Sequence, residues 1–193
     1  MNIIDSYFSE LDKEIHKPLR VILTGAVAGA LLGSVRPSMD IDFEIQTDED
    51  IEAAISAVSR RLSLPAQYSE SIQGWSQISF LDYRETALSY KKIGKIEVRS
   101  LSPEHWTIGK MSRYLPLDRM DIASVLKKKA VSWEKIIAVW GRALKDSMLS
   151  DKSGEFRDHV ADFLRHEGKK IWVESYDREK AVAFFYKKAG IKS

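Results

Sequence analysis

Apolar positions recur along this chain at two periods, and the places where the period changes mark its elements. Residues 2–15 put Ile3, Ile4, Tyr7, Phe8, Leu11 and Ile15 at helical spacing, which predicts an amphipathic helix laid on a core and ended by Pro18. A short apolar strand, Val21 to Leu23, leads into a glycine turn at Thr24-Gly25 and a helix of small residues from Ala26 to Leu32. The next strand alternates. Ile41, Phe43 and Ile45 face one way, and Asp40, Asp42 and Glu44 face the other. Asp48, Glu49 and Asp50 then supply negative charge to the start of a helix running to about Leu62, with Ile51, Ala54, Ile55 and Val58 inward.

From Pro65 to Leu101 the period is two. Four short strands are predicted, Tyr68 to Ile72, Ser76 to Leu81, Ala87 to Ile93 and Lys95 to Leu101, separated by Gly74, Asp82-Tyr83-Arg84-Glu85 and Gly94. Ser102-Pro103-Glu104 opens a helix, with serine as cap and proline in the first turn. Beyond it the pattern is helical throughout, at about 118–130, 132–147, 154–168 and 176–189. The expected architecture is therefore α/β, a mixed β-sheet flanked by helices and followed by a C-terminal helical region. The one boundary the pattern suggests lies near Leu101–Pro103, giving an α/β core over 1–101 and helices over 102–193.

Composition narrows the chemistry. The 193 residues include no cysteine, which removes disulfides, thiolate zinc sites and a cysteine nucleophile, and fits a reducing cytoplasm. The N-terminal stretch is acidic and amphipathic, unlike a secretory signal, and no apolar run approaches the roughly 18 residues that span a bilayer. A cytoplasmic protein without a membrane partner is expected. The net charge of +2 hides an asymmetry: residues 1–100 carry 11 Lys and Arg against 15 Asp and Glu, and residues 101–193 carry 19 against 13. A basic half beside an acidic one suits a polyanionic partner as well as it suits a solvated surface. Lys127-Lys128-Lys129 and Lys169-Lys170 read both ways too, as phosphate contacts or as charges at helix C-termini. The four histidines show no metal-ligand spacing.

The strand of Asp40 and Asp42 carries the sharpest signal. Carboxylates two residues apart on one strand face lie roughly 6.6 Å apart along it, within reach of a shared cation or pair of cations. Hard oxygen ligands suit Mg2+ or Mn2+, which bring substrate phosphates with them, so metal-assisted phosphoryl or nucleotidyl transfer is the expected chemistry. Amides at the start of the small-residue helix, just after Gly25, are a natural place for a phosphate. Arg36 and Ser38, in the loop before Asp40, are close enough in sequence to act at the same site.

Glycine turn, small helix and Gly33-x-x-Arg36-x-Ser38-x-Asp40-x-Asp42 together resemble the nucleotidyltransferase superfamily that includes DNA polymerase β. In particular, they resemble its small bacterial members, among them those acting as toxins in toxin–antitoxin and phage-defence systems. The resemblance implies that Asp40 and Asp42 hold metal, that Thr24, Gly25, Ala26, Arg36 and Ser38 surround an NTP, and that a third carboxylate comes from a neighbouring strand. Glu97, sharing the polar face of its strand with Arg99, is the candidate, as base for the attacking hydroxyl or further metal ligand; relatives more often carry aspartate there. The family's turn is Gly-Gly or Gly-Ser, where this chain has Gly25-Ala26. Leu101 to Lys128 also resembles these proteins: Lys110 matches a lysine near the nucleotide phosphates, and Asp118 and Asp121 match an acidic pair. For those two aspartates a structural role is expected, Asp118 capping a helix and Asp121 pairing with Lys110 or Arg113. The implied enzyme moves a nucleoside monophosphate from an NTP to an RNA, protein or small-molecule acceptor, with a cognate antitoxin as a further partner. The alternative is a catalytically inactive nucleotidyltransferase-fold binding protein, such as an antitoxin or regulatory partner.

Overall fold

A computed structural model describes residues 2–34, 39–173 and 176–191. Five strands form one mixed sheet in the order β3-β2-β1-β5-β4, where β1 is Leu19–Leu23, β2 is Ile41–Gln46, β3 is Ala66–Ser69, β4 is Leu88–Ile93 and β5 is Ile96–Ser100. β1 runs antiparallel to β2 and parallel to β5, β2 runs parallel to β3, and β4 and β5 form an antiparallel hairpin about Gly94.

Alternation along β2 explains both faces of the sheet. Phe43 points into a layer made by α1 (Ile3–Glu14) and α3 (Glu52–Leu62), with the Phe8 and Tyr7 rings 5.5 and 6.1 Å from its own. Tyr7 also meets the Ser59 hydroxyl at 3.1 Å, which ties the two helices together. The opposite face carries Asp42 and Glu44, and here the chain differs from its periodicity. Glu44 is fully buried and accepts hydrogen bonds from the Tyr83 hydroxyl, from Arg84 Nε at 2.7 Å and from the Ile72 backbone N–H at 3.0 Å. It therefore anchors a lip: a 3₁₀ turn at Ile72–Trp75, an irregular stretch through Phe80, and the short helix α4 (Tyr83–Thr86).

The predicted strand at Ser76 to Leu81 does not form, because side chains take its backbone groups. Gln73 Nε2 donates to the Ser76 and Ile78 carbonyls at 3.2 Å, its Oε1 accepts from Phe80 N–H at 2.7 Å, and Ser147 Oγ accepts from Ser79 N–H at 3.0 Å. Ile72 is likewise lost to β3, since its N–H belongs to Glu44. Of the acids ahead of α3, Glu49 turns back to accept from the His16 and Lys17 N–H groups, the latter at 2.7 Å.

Between β1 and β2 lies α2 (Gly25–Leu32), and after β5 the described residues are helical: α5 (Pro103–Arg113), α6 (Pro116–Lys128), α7 (Trp133–Asp146), α8 (Asp151–His166), α9 (Gly168–Ile171) and α10 (Arg178–Ala189). Ser102 caps α5 as its sequence predicts. One hydrophobic core runs from α1 and the sheet through Trp106, Ile108 and Met111 of α5 to Trp140, Phe163 and Phe185. None of the described helices is long and apolar enough to cross a membrane.

Candidate active site

The site begins at the end of β1. Thr24 N–H donates to the Asp42 carbonyl at 2.9 Å, so the chain turns beside the second aspartate. Gly25 makes that turn with φ +57°, a conformation that disfavours any side chain, and it lies against the carboxylate itself. A Cβ there would stand 1.8 Å from Asp42 Oδ2. Trp106 of α5 locks the turn from the far side by donating its Nε1–H to the Gly25 carbonyl at 2.7 Å. The Thr24 side chain does not cap α2, leaving the first turn of that helix without a local side-chain acceptor from its cap position.

Asp40 immediately precedes β2 rather than lying in it, and Asp42 is the second residue of the strand. Burial and the neighbouring Asp40 charge push the Asp42 carboxyl up to about 6, against the opposing pull of Arg113 and Lys110. Two carboxylates whose charges disfavour each other in a half-buried place fit a cation that relieves both, so the donor set suits Mg2+ or Mn2+.

Around Asp42 opens a cleft of about 340 Å³, within the size range of small-molecule sites. Thr24, Gly25 and Asp42 line one wall, and Lys110 and Arg113 of α5 another. Ala26 stands in the first turn of α2 outside that lining. The lip contributes Trp75, which is 48 % exposed, and Phe80. Lys110 is buried and shared between two carboxylates of α6, with Nζ 3.2 Å from both Asp118 Oδ1 and Asp121 Oδ2. Arg113 adds a second bond to Asp118 at 3.0 Å. Burial opposes the Asp118 charge, yet the hydrogen bonds and charges of Arg113 and Lys110 outweigh it and hold the carboxyl below its ordinary value. Asp121 also accepts from the Ser34 hydroxyl at 2.9 Å, linking α6 to the segment that leads toward Asp40. The acidic pair thus joins two helices; Asp118 is not the cap of α6, whose cap position is Leu115.

The structure does not bring Glu97 to Asp42. Glu97 lies in the row of Arg20 and Gln46, four residues along β2 from Asp42 and so about 13 Å away along the sheet. Its carboxylate accepts from Arg20 Nε at 2.9 Å near the opposite end of the strands. On that face the β5 position nearer Asp42 is Arg99, in the row of Ile22 and Glu44, and Leu101, just past the end of β5, lines the cleft. Among the described residues no cluster of three or more metal-ligating side chains stands together. Arg36 and Ser38 lie outside the described residues.

Sequence reasoning assigned none of Trp75, Phe80 and Trp106 to the site, and gave Arg113 only as an ion-pair partner for Asp121. For two of them a signal existed: Trp106, Lys110 and Arg113 recur at spacings of four and three, one face of a helix. Trp75 had none, because its exposure depends on the Glu44 anchor. Comparison with known proteins returns no matching family model, no matching curated protein and no matching solved structure.

Proposed function

We propose that this chain has a nucleotidyltransferase-like fold and transfers a nucleoside monophosphate from an NTP to an acceptor. One observation carries the proposal: a single cleft unites Asp42, the Thr24-Gly25 turn, and the cationic side chains Lys110 and Arg113. Asp40 and Asp42 would hold Mg2+ or Mn2+, which supplies charge neutralisation at the reacting phosphoryl group. The first amides of α2 and the Arg113 guanidinium would bind phosphate oxygens, while Lys110, its charge matched by Asp118 and Asp121, holds α5 and α6 together at the floor of the cleft. Trp75 offers a π-face on which the nucleobase would stack. RNA, a protein hydroxyl or a small molecule would serve as acceptor, and an antitoxin-type partner would close the cleft.

The test is transfer of label from an [α-32P]NTP in the presence of Mg2+. D42N and D40N should each lose transfer by at least about a thousandfold, with an unfolding midpoint no lower than that of the parent chain. Undiminished transfer by both variants would sink the assignment. The position of Glu97 favours a second reading, a binding protein that retains nucleotide and metal without catalysis. Calorimetric titration separates the two: nucleotide binding that depends on Mg2+ with no labelled product or released pyrophosphate supports the binding protein.

A further inference from the structure

A second groove, of about 790 Å³, lies across α5 from the cleft, between that helix, the α6–α7 junction and α10. Its rim gathers Lys129, Lys135, Arg142 and Lys188, all exposed. Lys135 and Arg142 are seven residues apart on α7, so they share a face at a separation of roughly 10 Å. Lys188 is held against the same helix where α10 crosses closely: a Cβ on Gly141 would meet Lys188 Cβ at 2.4 Å.

The one carboxylate in the lining, Glu104, is buried on the floor and bonded to Lys135 at 2.5 Å. It therefore offsets a single cation and leaves the rim positive. Arg142 stands 3.6 Å from Asp82, but both are about half exposed, and such a pair is screened and weak. Leu88 and Val139 add apolar surface to the lining. A small anion needs convergent donors; these cations are strung along a groove built by three helices, which matches a polymer of charges.

We propose that this groove binds the phosphate backbone of single-stranded nucleic acid, independently of the chemistry at Asp42. The experiment is fluorescence anisotropy of the full-length protein with a fluorescein-labelled 20-nucleotide RNA, in salt from about 50 to 200 mM. The parent chain should bind, with affinity falling steeply as salt rises. The variant K129Q/R142Q/K188Q should bind about tenfold or more weakly at the lowest salt. Its log–log salt slope should be shallower by about 2, the loss of three phosphate contacts at roughly 0.7 each. A matched variant of equal charge, K13Q/K17Q/K92Q, should retain the parent slope and affinity. Absence of RNA binding by the parent chain, equal loss in both triple variants, or equal competition by poly-glutamate would each overturn the proposal.

Discussion

At the scale of single residues the chain departs from expectation chiefly in the company its carboxylates keep. Asp40, Asp42 and Glu44 look alike in a sequence, three acids at alternate positions, yet Glu44 is consumed by Tyr83, Arg84 and Ile72. Glu97 is consumed by Arg20. Asp42 is the acid that lines the cleft. Its carboxyl, pushed up to about 6 by burial and by Asp40, gives a stability prediction of definite sign. A carboxyl whose folded value exceeds its unfolded one stabilises the fold when protonated. That contribution is complete below about 4 and is lost as pH rises through about 6. D42N removes the charge, so its advantage over the parent chain should be near zero at the acid end and grow to about 1–2 kcal/mol by pH 7.5, allowing for screening at a part-exposed site. Urea midpoints measured across that range check it; an advantage that does not vary with pH would refute the assigned shift. Mg2+ should reverse the penalty. Ten millimolar cation should raise the melting temperature of the parent chain at pH 7.5, raise it less at pH 5.5, and leave D42N unmoved.

At the scale of elements, the period-two segment after Pro65 shows what patterning can and cannot specify. Hydrophobic alternation identified β4 and β5 nearly to the residue: β5 buries alternate positions, and β4, at the sheet edge and largely exposed, pairs with it through the backbone. It misread Ser76 to Leu81, where Gln73 and Ser147 occupy the backbone groups that a neighbouring strand would need. Long-range side-chain acceptors leave no trace in local periodicity. Helices were more legible, since caps are local: Ser102 accepts an N–H bond three residues on, as its sequence announces, while Ser150 caps α8 three residues ahead of where the apolar pattern suggested that helix begins. The lip built around Glu44 separates anchor from platform, and two substitutions should separate them in turn. E44A removes the acceptor for a buried N–H and a buried hydroxyl and breaks a pair with Arg84, a loss of about 3 kcal/mol. It should unfold earlier in urea and expose residues 70–86 to protease. W75A removes a half-exposed ring and should leave stability within about 0.5 kcal/mol, while weakening nucleotide binding by about 5- to 150-fold, the range for one lost stacking contact. If W75A binds NTP as tightly as the parent chain, the platform is not used.

At the scale of the whole molecule, the boundary near Leu101 that the sequence suggests marks a change of secondary structure. The packing runs straight across it. Trp106 is hydrogen-bonded to the Gly25 carbonyl, and Trp140 of α7 donates to Thr107 at 2.9 Å, so α5 is bonded on one side to the sheet's turn and on the other to the helical layer. The buried cores of the two halves form one cluster. The cleft lies on this seam, taking its carboxylate and glycine turn from the sheet and its cations from α5. That arrangement makes the site's geometry a property of the joint and predicts cooperative unfolding. The buried Lys110–Asp118–Asp121 set should be lost in the same step, because separating α5 from α6 would strand three charges in the interior. Far-UV circular dichroism, which weights every helix, and tryptophan fluorescence, to which buried Trp106 and Trp140 contribute, should therefore trace coincident urea transitions with one midpoint. A fragment ending at residue 101 should lack a cooperative transition altogether, since it uncovers Val27, Ala28 and Leu32 on α2 and has nothing to hold Gly25 against Asp42. Two separated midpoints, or a fragment that melts cooperatively, would mean that the sheet folds without α5 and that the cleft can open as a hinge between independent halves.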